Sequence, residues 1–380
     1  MDKSILITGG AGFIGAHLVN KLFNKGYKIK IIDNFNCQIH GDDYKKSHLY
    51  KMIEGKCEII KADICDYSVY GPALKDVEQI FHLAAETGTG QSMYELNSYF
   101  QTNVLGFATL LQALQNFNNK VKKIVLASSR AVYGEGKYYC ENHGIQFPLT
   151  RSYDDMKKGD FSIKCTHCGK EMKALPTDEN SDLNPLSFYA LTKKNQEEML
   201  KLYSDNTGID YVIFRFQNVY GPGQSLKNPY TGIISIFSNL VRNNKSIEIY
   251  EDGNESRDFV FIDDLIKILE LSIVSKRDLK QIINIGSGTS TSVMDIARSI
   301  SNHLRSTSNY EITGSFRKGD IRSNYSDNKK LLSTYGNLMF TSIDSGLKIF
   351  TQWVISQKIE DSLYKKSIDE LAKRGLYVKK

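Results

Sequence analysis

The 380-residue sequence has no apolar run long enough to cross a membrane, no internal repeat and no low-complexity segment. A membrane helix needs about 20 apolar residues, so we expect no membrane partner. The chain enters an apolar strand at once, without a targeting segment, which predicts a soluble, cytoplasmic protein. Only six cysteines are present. In a reducing compartment they predict free thiols or metal ligands, not a disulfide framework.

A strong charge of one sign is also missing. The net charge is +6 and the lysines are scattered, which favours a solvated surface over a nucleic-acid patch. We therefore expect no nucleic-acid partner. The basic end of the chain, residues 365–380, predicts an exposed helix and tail. The length allows one large domain and a smaller lobe.

The first feature present is a strand, a glycine turn and a helix. The buried apolar run Ser4–Thr8 is followed by Gly9 and Gly12 and then by an amphipathic run over 13–24. Glycines let the backbone approach a pyrophosphate, and a helix N-terminus offers free N–H groups and a partial positive charge. Gly15 allows the helix to pack closely on the strand. Strand, turn and helix in this order predict dinucleotide binding.

The second strand, 28–32, ends in Asp33. A carboxylate at this position accepts hydrogen bonds from the adenosine ribose 2′-hydroxyl and repels a 2′-phosphate. This favours NAD over NADP as the cofactor.

Strands continue to alternate with helices, including a long helix over 94–118 and a shorter one over 44–53. This alternation predicts an α/β fold with a Rossmann-type, doubly wound parallel sheet. We assign an NAD-binding domain to 1–216, with an insert at 134–184. Residues 217–380 form mainly a smaller C-terminal substrate lobe, with some segments returning to the sheet. The remaining strands are predicted at 58–61, 79–83, 124–127 and 211–216.

Tyr189 and Lys193 are four residues apart at the start of a helix, so their side chains share one face. A free tyrosine has a pKa of about 10, and a neighbouring ammonium group favours its phenolate. A serine at the end of an adjacent strand can hydrogen-bond the same substrate oxygen. Ser129 is our candidate, because it lies four residues before Tyr133, and Ser128 is the alternative. This set predicts removal of a hydroxyl proton as hydride leaves the carbon.

The glycine spacing Gly-x-x-Gly-x-x-Gly, the Ser129–Tyr133-Gly segment and Tyr189-x-x-x-Lys193 resemble the extended short-chain dehydrogenase/reductase family, with its nucleotide-sugar epimerases and dehydratases. The resemblance runs from Ser4 to about Leu347. It implies catalytic roles for Ser129, Tyr189 and Lys193, and a nucleotide-diphospho-sugar substrate linked to dTDP or UDP. The cofactor-binding residues that it implies are Gly9, Gly12, Phe13, Ile14, Gly15, Asp33, Asn34, Asp63, Ile64, Leu83, Ala84, Ala85, Asn103, Tyr189 and Lys193.

The resemblance also implies substrate contacts. Asn218 and the arginines Arg257 and Arg322 occupy segments in which relatives hold the diphosphate, and 224–232 is placed to cover the nucleotide. Thr87, in a glycine-punctuated loop facing the cleft, is a further candidate. With Ser129 and Arg130 the substrate-binding set is Thr87, Ser129, Arg130, Asn218, Arg257 and Arg322.

Two residues distinguish between reactions. In the family's dehydratases an acidic pair follows the catalytic threonine, whereas Arg130 and Ala131 stand here, and Ala131 also disfavours the decarboxylases. With dehydration and decarboxylation disfavoured, the remaining reaction is oxidation and re-reduction at one carbon. This is a 4-epimerisation in which NAD is regenerated in each turnover. More narrowly, 129–136, the cysteine insert and 224–232 look like the dTDP-L-rhamnose 4-epimerase group.

Other interpretations stay open: a UDP-sugar 4-epimerase, a nucleotide-sugar reductase or dehydrogenase, and a non-enzymatic NAD-binding scaffold. Relatives pair through two helices that correspond to 94–118 and 187–206, so the resemblance implies a homodimer.

The insert contains two short ligand pairs, Cys140-x-x-His143 and Cys165-x-x-Cys168, the second followed by glycine. Three thiolates and one imidazole make a closed tetrahedral site, which predicts structural zinc. His167 could replace His143, and reduced cysteines in a polar loop are the alternative.

Overall fold

The computed structural model describes residues 4–230, 232–307, 309–359 and 363–380. The strands in chain order are β1 Ser4–Thr8, β2 Lys28–Asp33, β3 Glu58–Lys61, β4 Val77–His82, β5 Lys123–Ser129, β6 Tyr138–Cys140, β7 Gly144–Gln146, β8 Lys173–Ala174, β9 Asp210–Phe216, β10 Asn218–Tyr220, β11 Ile247–Ile249, β12 Ser256–Phe261, β13 Gln281–Ile285, β14 Ser290–Ser292, β15 Tyr310–Ile312, β16 Phe316–Arg317, β17 Ser323–Asn324 and β18 Tyr377–Val378.

The α-helices are α1 Phe13–Phe23, α2 Cys37–His40, α3 His48–Ile53, α4 Tyr70–Leu74, α5 Thr89–Ser92, α6 Leu96–Phe100, α7 Gly106–Asn116, α8 Tyr153–Lys158, α9 Phe188–Thr207, α10 Ile233–Arg242, α11 Ile262–Val274, α12 Val293–His303, α13 Lys329–Tyr335, α14 Ile343–Ser356 and α15 Tyr364–Lys373. Shorter 3₁₀ turns lie at Tyr44–Lys46, Tyr67–Val69 and Arg130–Tyr133, and a π-helical turn at Gln101–Leu105 joins α6 to α7. No helix of the described residues is long and apolar enough to span a bilayer.

Seven parallel strands in the order β13-β9-β5-β4-β1-β2-β3 form the central sheet, as a Rossmann-type fold requires. The sheet is apolar on both faces. Ile5 and Ile7 of β1 face one buried cluster with α1 and α11, while Leu6 faces a second cluster with α7. Burial on both faces explains why these strands are continuous apolar runs. The strand order reverses between β1 and β4, where ligands bind in such sheets.

The C-terminal half contributes β13 to the edge of this sheet and builds smaller sheets of its own. β12 lies beside β10, β14 and β17, and two-stranded sheets form from β11 with β15 and from β16 with β18. The insert carries a separate three-stranded sheet, β7-β6-β8.

Two predicted helices are interrupted. The helix over 44–53 is a 3₁₀ turn followed by α3, because the Ser47 hydroxyl accepts a hydrogen bond from Tyr50 N at 3.1 Å and starts a new helix. The helix over 94–118 contains the π-helical turn and ends at Asn116, where Asn119 Nδ2 donates to Leu114 O at 2.9 Å.

The predicted basic helix at 365–380 forms as α15 and its lysines are exposed, but the prediction that the segment is an exposed tail is wrong. Ser367 and Leu371 of α15 are buried, and β18 pairs with β16 and buries Tyr377. The lysines of this segment share α15 with an apolar stripe, so the helix packs on the body of the protein.

Candidate active site

One cleft of about 500 Å³ lies at the carboxyl ends of the central strands. It brings together 18 of the 21 residues that the sequence predicts for cofactor or substrate. These are Gly9, Gly12, Phe13, Ile14, Gly15, Asp33, Asn34, Asp63, Ile64, Leu83, Ala84, Ala85, Thr87, Ser129, Arg130, Tyr189, Lys193 and Asn218. Asn103, Arg257 and Arg322 lie outside its lining.

The glycine turn forms one wall of the cleft. Gly9 has φ +69°, and a Cβ there would lie 2.7 Å from Ala84 N. A Cβ on Gly15 would lie 2.2 Å from Gly9 O, so the helix packs on the turn only because this position is glycine. Gly12 precedes α1 without a side-chain cap, which leaves the N-terminal N–H groups available to an anion. The turn therefore fits a dinucleotide pyrophosphate.

Asp33 is buried at the end of β2, with both carboxylate oxygens directed by the backbone. Ala11 N donates to Oδ2 at 2.9 Å and Phe35 N donates to Oδ1 at 2.8 Å. Burial raises the pKa of this carboxyl, although the two N–H donors and the nearby His40 oppose the rise. Each oxygen keeps a lone pair for a ribose hydroxyl.

Ser129, Tyr189 and Lys193 all line the cleft. Ser129 ends β5, while the other two lie in the first turns of α9, whose start is capped by Ser187. Burial raises the pKa of Tyr189, whereas a hydrogen bond with Ser129 and the charge of Arg130 lower it. Burial also lowers the pKa of Lys193, to about 7.

Ser128, the alternative to Ser129, is used in the core. Its hydroxyl donates to Glu197 Oε1 at 2.5 Å, and Arg215 holds the same carboxylate with Nε at 3.0 Å and Nη2 at 2.7 Å. Arg215 Nη1 also donates to the Tyr133 hydroxyl at 2.8 Å. This buried network joins β5, α9 and β9 beneath the cleft, and it leaves Ser129 as the serine beside Tyr189.

Sequence reasoning missed Thr192 and Gln196, which belong to a second polar network behind Lys193 that also holds the predicted residue Asn103. Asn103 is fully buried, accepts from Glu86 N at 2.8 Å and donates to Thr192 Oγ1 at 3.0 Å. Gln196 bonds Asn103 O at 2.7 Å and lies 3.3 Å from His82 Nε2. Burial, with Lys193 nearby, lowers the pKa of His82 to about 3, so this imidazole is neutral. These contacts position α9 against the cleft.

The two arginines predicted for the diphosphate contact protein groups in this structure. Arg257 donates to the carbonyl oxygens of Ser256 and Ile321, both at 2.8 Å. Arg322 holds Asp252 with two bonds, at 2.6 and 2.7 Å. Arg257 and Arg130 both line a small pocket that adjoins the cleft.

The segment over the cleft is tied to the C-terminal helix, a contact without a sequence signal. The hydroxyls of Tyr94 and Tyr230 lie 2.5 Å apart, and Tyr230 donates to Glu370 Oε2 at 2.8 Å. Tyr230 lines the cleft, as do other residues of 224–232. Thr231, within this predicted nucleotide-covering segment, lies outside the described residues.

The four predicted metal ligands also come together. The ligand atoms of Cys140, His143, Cys165 and Cys168 all lie within 4.8 Å of one another. His143 Nδ1 is 3.6 Å from the Cys140 sulfur and 3.5 Å from the Cys165 sulfur. His167 packs its ring 5.1 Å from that of His143 and is outside the group of four.

Comparison with known proteins agrees with this geometry. The family model described as GDP-mannose 4,6 dehydratase matches residues 6–148, and that of the NAD dependent epimerase/dehydratase family matches residues 164–286. A dTDP-L-rhamnose 4-epimerase of Burkholderia thailandensis is 36% identical over 93% of this chain and 96% of its own length. A putative UDP-glucose 4-epimerase of Methanocaldococcus jannaschii is 33% identical over 92% of this chain and 98% of its own length.

The fold has solved counterparts. The UDP-glucuronic acid 4-epimerase of Bacillus cereus, solved with UDP-glucuronic acid and NAD, has a TM-score of 0.76 at 24% identity, over 93% of this chain and 99% of that one. The chain belongs to the family of NAD-dependent nucleotide-sugar epimerases and dehydratases within the extended short-chain dehydrogenases/reductases. It is an enzyme of the isomerase class that the epimerases of this family form.

Proposed function

We propose that this enzyme is an NAD-dependent nucleotide-sugar 4-epimerase and that its substrate is dTDP-L-rhamnose. The observation that carries the proposal is the meeting of Ser129, Tyr189 and Lys193 in one cleft with the glycine turn. Arg130 and Ala131 follow Ser129, where the dehydratases have an acidic pair. The 36% identity with the dTDP-L-rhamnose 4-epimerase supports the choice of sugar and nucleotide.

In this proposal the phenolate of Tyr189 accepts the proton of the sugar 4-hydroxyl, and Ser129 orients that oxygen by a hydrogen bond. Bound NAD supplies the oxidation of carbon 4 and its re-reduction on the opposite face. Tyr189 then returns the proton to the same oxygen. Lys193 holds the cofactor ribose.

The remaining cleft residues bind the two ends of the ligands. The N-terminus of α1 and the glycine turn hold the pyrophosphate of NAD, and Asp33 holds its adenosine ribose. Asn218 contacts the diphosphate of the sugar nucleotide. We assign Arg257 and Arg322 to binding the same diphosphate. Because Arg322 pairs with Asp252 here, its role requires exchange of that carboxylate for a phosphate.

Incubation with dTDP-L-rhamnose and no added cofactor tests the proposal. Inversion at carbon 4, followed by NMR, is expected, and Tyr189→Phe should reduce the rate by about 10²–10⁴-fold while NAD stays bound. Full turnover in Tyr189→Phe would overturn the catalytic assignment. In a separate incubation with added NAD, net reduction of NAD to NADH would identify a dehydrogenase.

A UDP-sugar 4-epimerase is the second candidate, favoured by the 33% identical relative. The two are separated by presenting dTDP-L-rhamnose and UDP-glucose at equal concentration and comparing kcat/KM. A higher value for UDP-glucose would replace the first candidate.

We further propose that Cys140, His143, Cys165 and Cys168 bind a structural zinc ion. Zinc–sulfur bonds of about 2.3 Å and zinc–nitrogen bonds of about 2.0 Å place sulfur and nitrogen about 3.5 Å apart in a tetrahedron. The separations of 3.5 and 3.6 Å match this value. Four protein ligands leave no open position, which fits a structural role.

Metal analysis of the purified chain tests the zinc proposal. We expect one zinc per chain, lost in Cys165→Ser and kept in Cys57→Ser, a partly buried cysteine outside the group. A chain without zinc, or zinc retained in Cys165→Ser, would refute the site.

A homodimer through α9 and the helices from α6 to α7 completes the proposal. Leu105 is 54% exposed and Leu202 is 66% exposed on these elements, which supports a covered apolar face. Light scattering should give twice the chain mass, and Leu202→Glu should reduce it. A monomeric wild-type protein would contradict the dimer.

A further inference from the structure

Lys193 lies one helical turn from Tyr189, yet its ammonium group is engaged elsewhere. Nζ donates to Ala127 O at 2.8 Å and to Gln196 Oε1 at 3.0 Å. Burial lowers the pKa of Lys193 to about 7, although Glu197 opposes the shift. At neutral pH this group therefore carries only part of a positive charge before ligands bind.

Arg130 brings a second cation to the same place. It begins the 3₁₀ turn directly after Ser129 and lines the cleft with Tyr189. Its guanidinium has no hydrogen bond or ion pair with any residue that the structure describes. Burial, with Arg257 beside it, lowers its pKa to about 9, so Arg130 stays charged at neutral pH.

The other charged groups near Arg130 do not neutralise it. Asp320 and Glu135 favour its charged form, as does Tyr189 itself. Neither carboxylate lies within ion-pair distance of the guanidinium among the described residues, and Glu135 instead accepts from Arg322 N at 2.7 Å. Burial raises the pKa of Glu135 to about 7, against Arg151 and other neighbours, so its own charge is incomplete.

The groups that face Tyr189 are few. Ser129 and Arg130 favour its phenolate, and Tyr99 presents its ring edge-on at 6.4 Å. The Tyr99 hydroxyl is occupied by Thr87 O at 2.5 Å and Gly88 O at 2.9 Å, so it does not donate to Tyr189.

We propose that Arg130 is a positioning residue for proton transfer: its unpaired guanidinium stabilises the phenolate of Tyr189, supplying positive charge that Lys193 alone does not provide. The inference deepens the proposed function, because it concerns the ionisation of the base of that reaction. It assigns to Arg130 an electrostatic role in addition to a place in the substrate pocket.

Ultraviolet titration of the phenolate tests the inference without substrate. The absorbance change of the wild type minus that of Tyr189→Phe isolates one tyrosine among 22. The same difference is taken for Arg130→Met and Arg130→Met/Tyr189→Phe. We expect Arg130→Met to move the ionisation of Tyr189 to higher pH and Arg130→Lys to restore most of it. Arg277→Met, at an exposed arginine, is the control and should leave the titration unchanged.

An unchanged titration in Arg130→Met would overturn the inference, as would a shift seen only in Lys193→Met. Thermal unfolding of each variant verifies that it folds. This titration needs no sugar nucleotide, so it tests the inference even if the enzyme fails to turn over dTDP-L-rhamnose. Failure of the inference can therefore be distinguished from failure of the proposed function.

The pH dependence of kcat gives a second measurement. In Arg130→Met the acidic limb should move to higher pH, with a roughly tenfold or greater loss at neutral pH that is recovered at alkaline pH. KM should change little, and Arg130→Lys should retain most of the neutral-pH rate. A raised KM with an unchanged pH profile would mean that Arg130 only binds substrate, and would overturn the inference.

Discussion

The cleft and the cysteine-rich insert both gather polar side chains, but they are assembled differently. The cleft takes residues from β2, β5, α1 and α9 and from the loops that follow β1 and β4. These segments are separated by long stretches of chain and meet at one edge of the sheet. The insert takes its four candidate ligands from two short pairs, and His143 at the end of the first pair lies 22 positions before Cys165 at the start of the second. One site depends on topology and the other on local hairpins.

The two regions also differ in what holds them. Beneath the cleft lie two large apolar clusters that include every strand of the central sheet except β3. The insert has one cluster of five buried residues, and two of these are the cysteines Cys140 and Cys165. A small polar segment of this kind cannot bury enough apolar surface to order itself, so we expect the cleft to be rigid without metal and the insert to require it.

Metal removal should separate the two regions most strongly. Chelation would remove the proposed zinc ion, whose binding free energy is about 10 kcal/mol or more in small zinc domains, so the insert should lose its order. Hydrogen exchange should rise throughout 138–174, while β1 and β5 keep their protection and NAD binding is retained. Equal protection in the insert before and after chelation would remove the distinction.

Loss of the buried carboxylate beneath the cleft should have the next largest effect. Glu197→Ala leaves Arg215 buried and unpaired, which should cost about 3–5 kcal/mol of unfolding free energy. The matched control is Glu198→Ala, where an exposed pair with Lys201 contributes about 0.5 kcal/mol or less. Urea unfolding measures both, and similar losses in the two variants would contradict the assignment of the core network.

Asp33→Asn should alter the cofactor site alone. Loss of a charged acceptor to the ribose should weaken NAD binding by roughly 10- to 100-fold, as a charged hydrogen bond is worth about 1.5–3 kcal/mol. NADP binding should weaken less or improve, because the carboxylate no longer repels the 2′-phosphate. Calorimetry with both cofactors checks this, and zinc content is the control. An unchanged preference would refute the role of Asp33.

The most gradual effect is a pH dependence of stability in the cofactor-free enzyme. Lys193 has a pKa of about 7 when folded, because it is buried, against 10.5 ordinarily. Between these values the unfolded chain binds the extra proton, so the unfolding free energy gains at most about 1.4 kcal/mol per pH unit as the pH rises. Below pH 7 the full penalty of the buried charge remains.

Comparison of the wild type with Lys193→Met isolates this contribution. Urea unfolding from pH 6.5 to 9.5 should show the advantage of the methionine variant shrinking as the pH rises. Parallel curves would mean that Lys193 is not the group responsible.

The prediction of the Rossmann-type sheet from the sequence is confirmed. The run at Ser4–Thr8 agrees with β1 to the residue, because a strand buried on both faces is a continuous apolar segment. The predicted strand at Glu58–Lys61 also agrees with β3, which is only half-buried at the edge of the sheet. The break at Ser47 and the burial of α15 were not predicted. Both depend on a local cap or on a partner surface that a pattern of apolar residues does not contain.

Spacing along the chain predicts Tyr189, Lys193 and the glycine turn as site residues, since each is a short motif whose geometry follows from a helix or a tight turn. The folded chain brings them to one cleft. Only the folded chain distinguishes Ser128 from Ser129, by directing the former into the core with Glu197. Tertiary structure also decides where charge lies, because Lys193 is desolvated and bonded to Ala127 O whereas Arg130 is left unpaired. Sequence motifs indicate which residues belong to a site, but the topology brings them together, and burial and long-range contacts determine their ionisation.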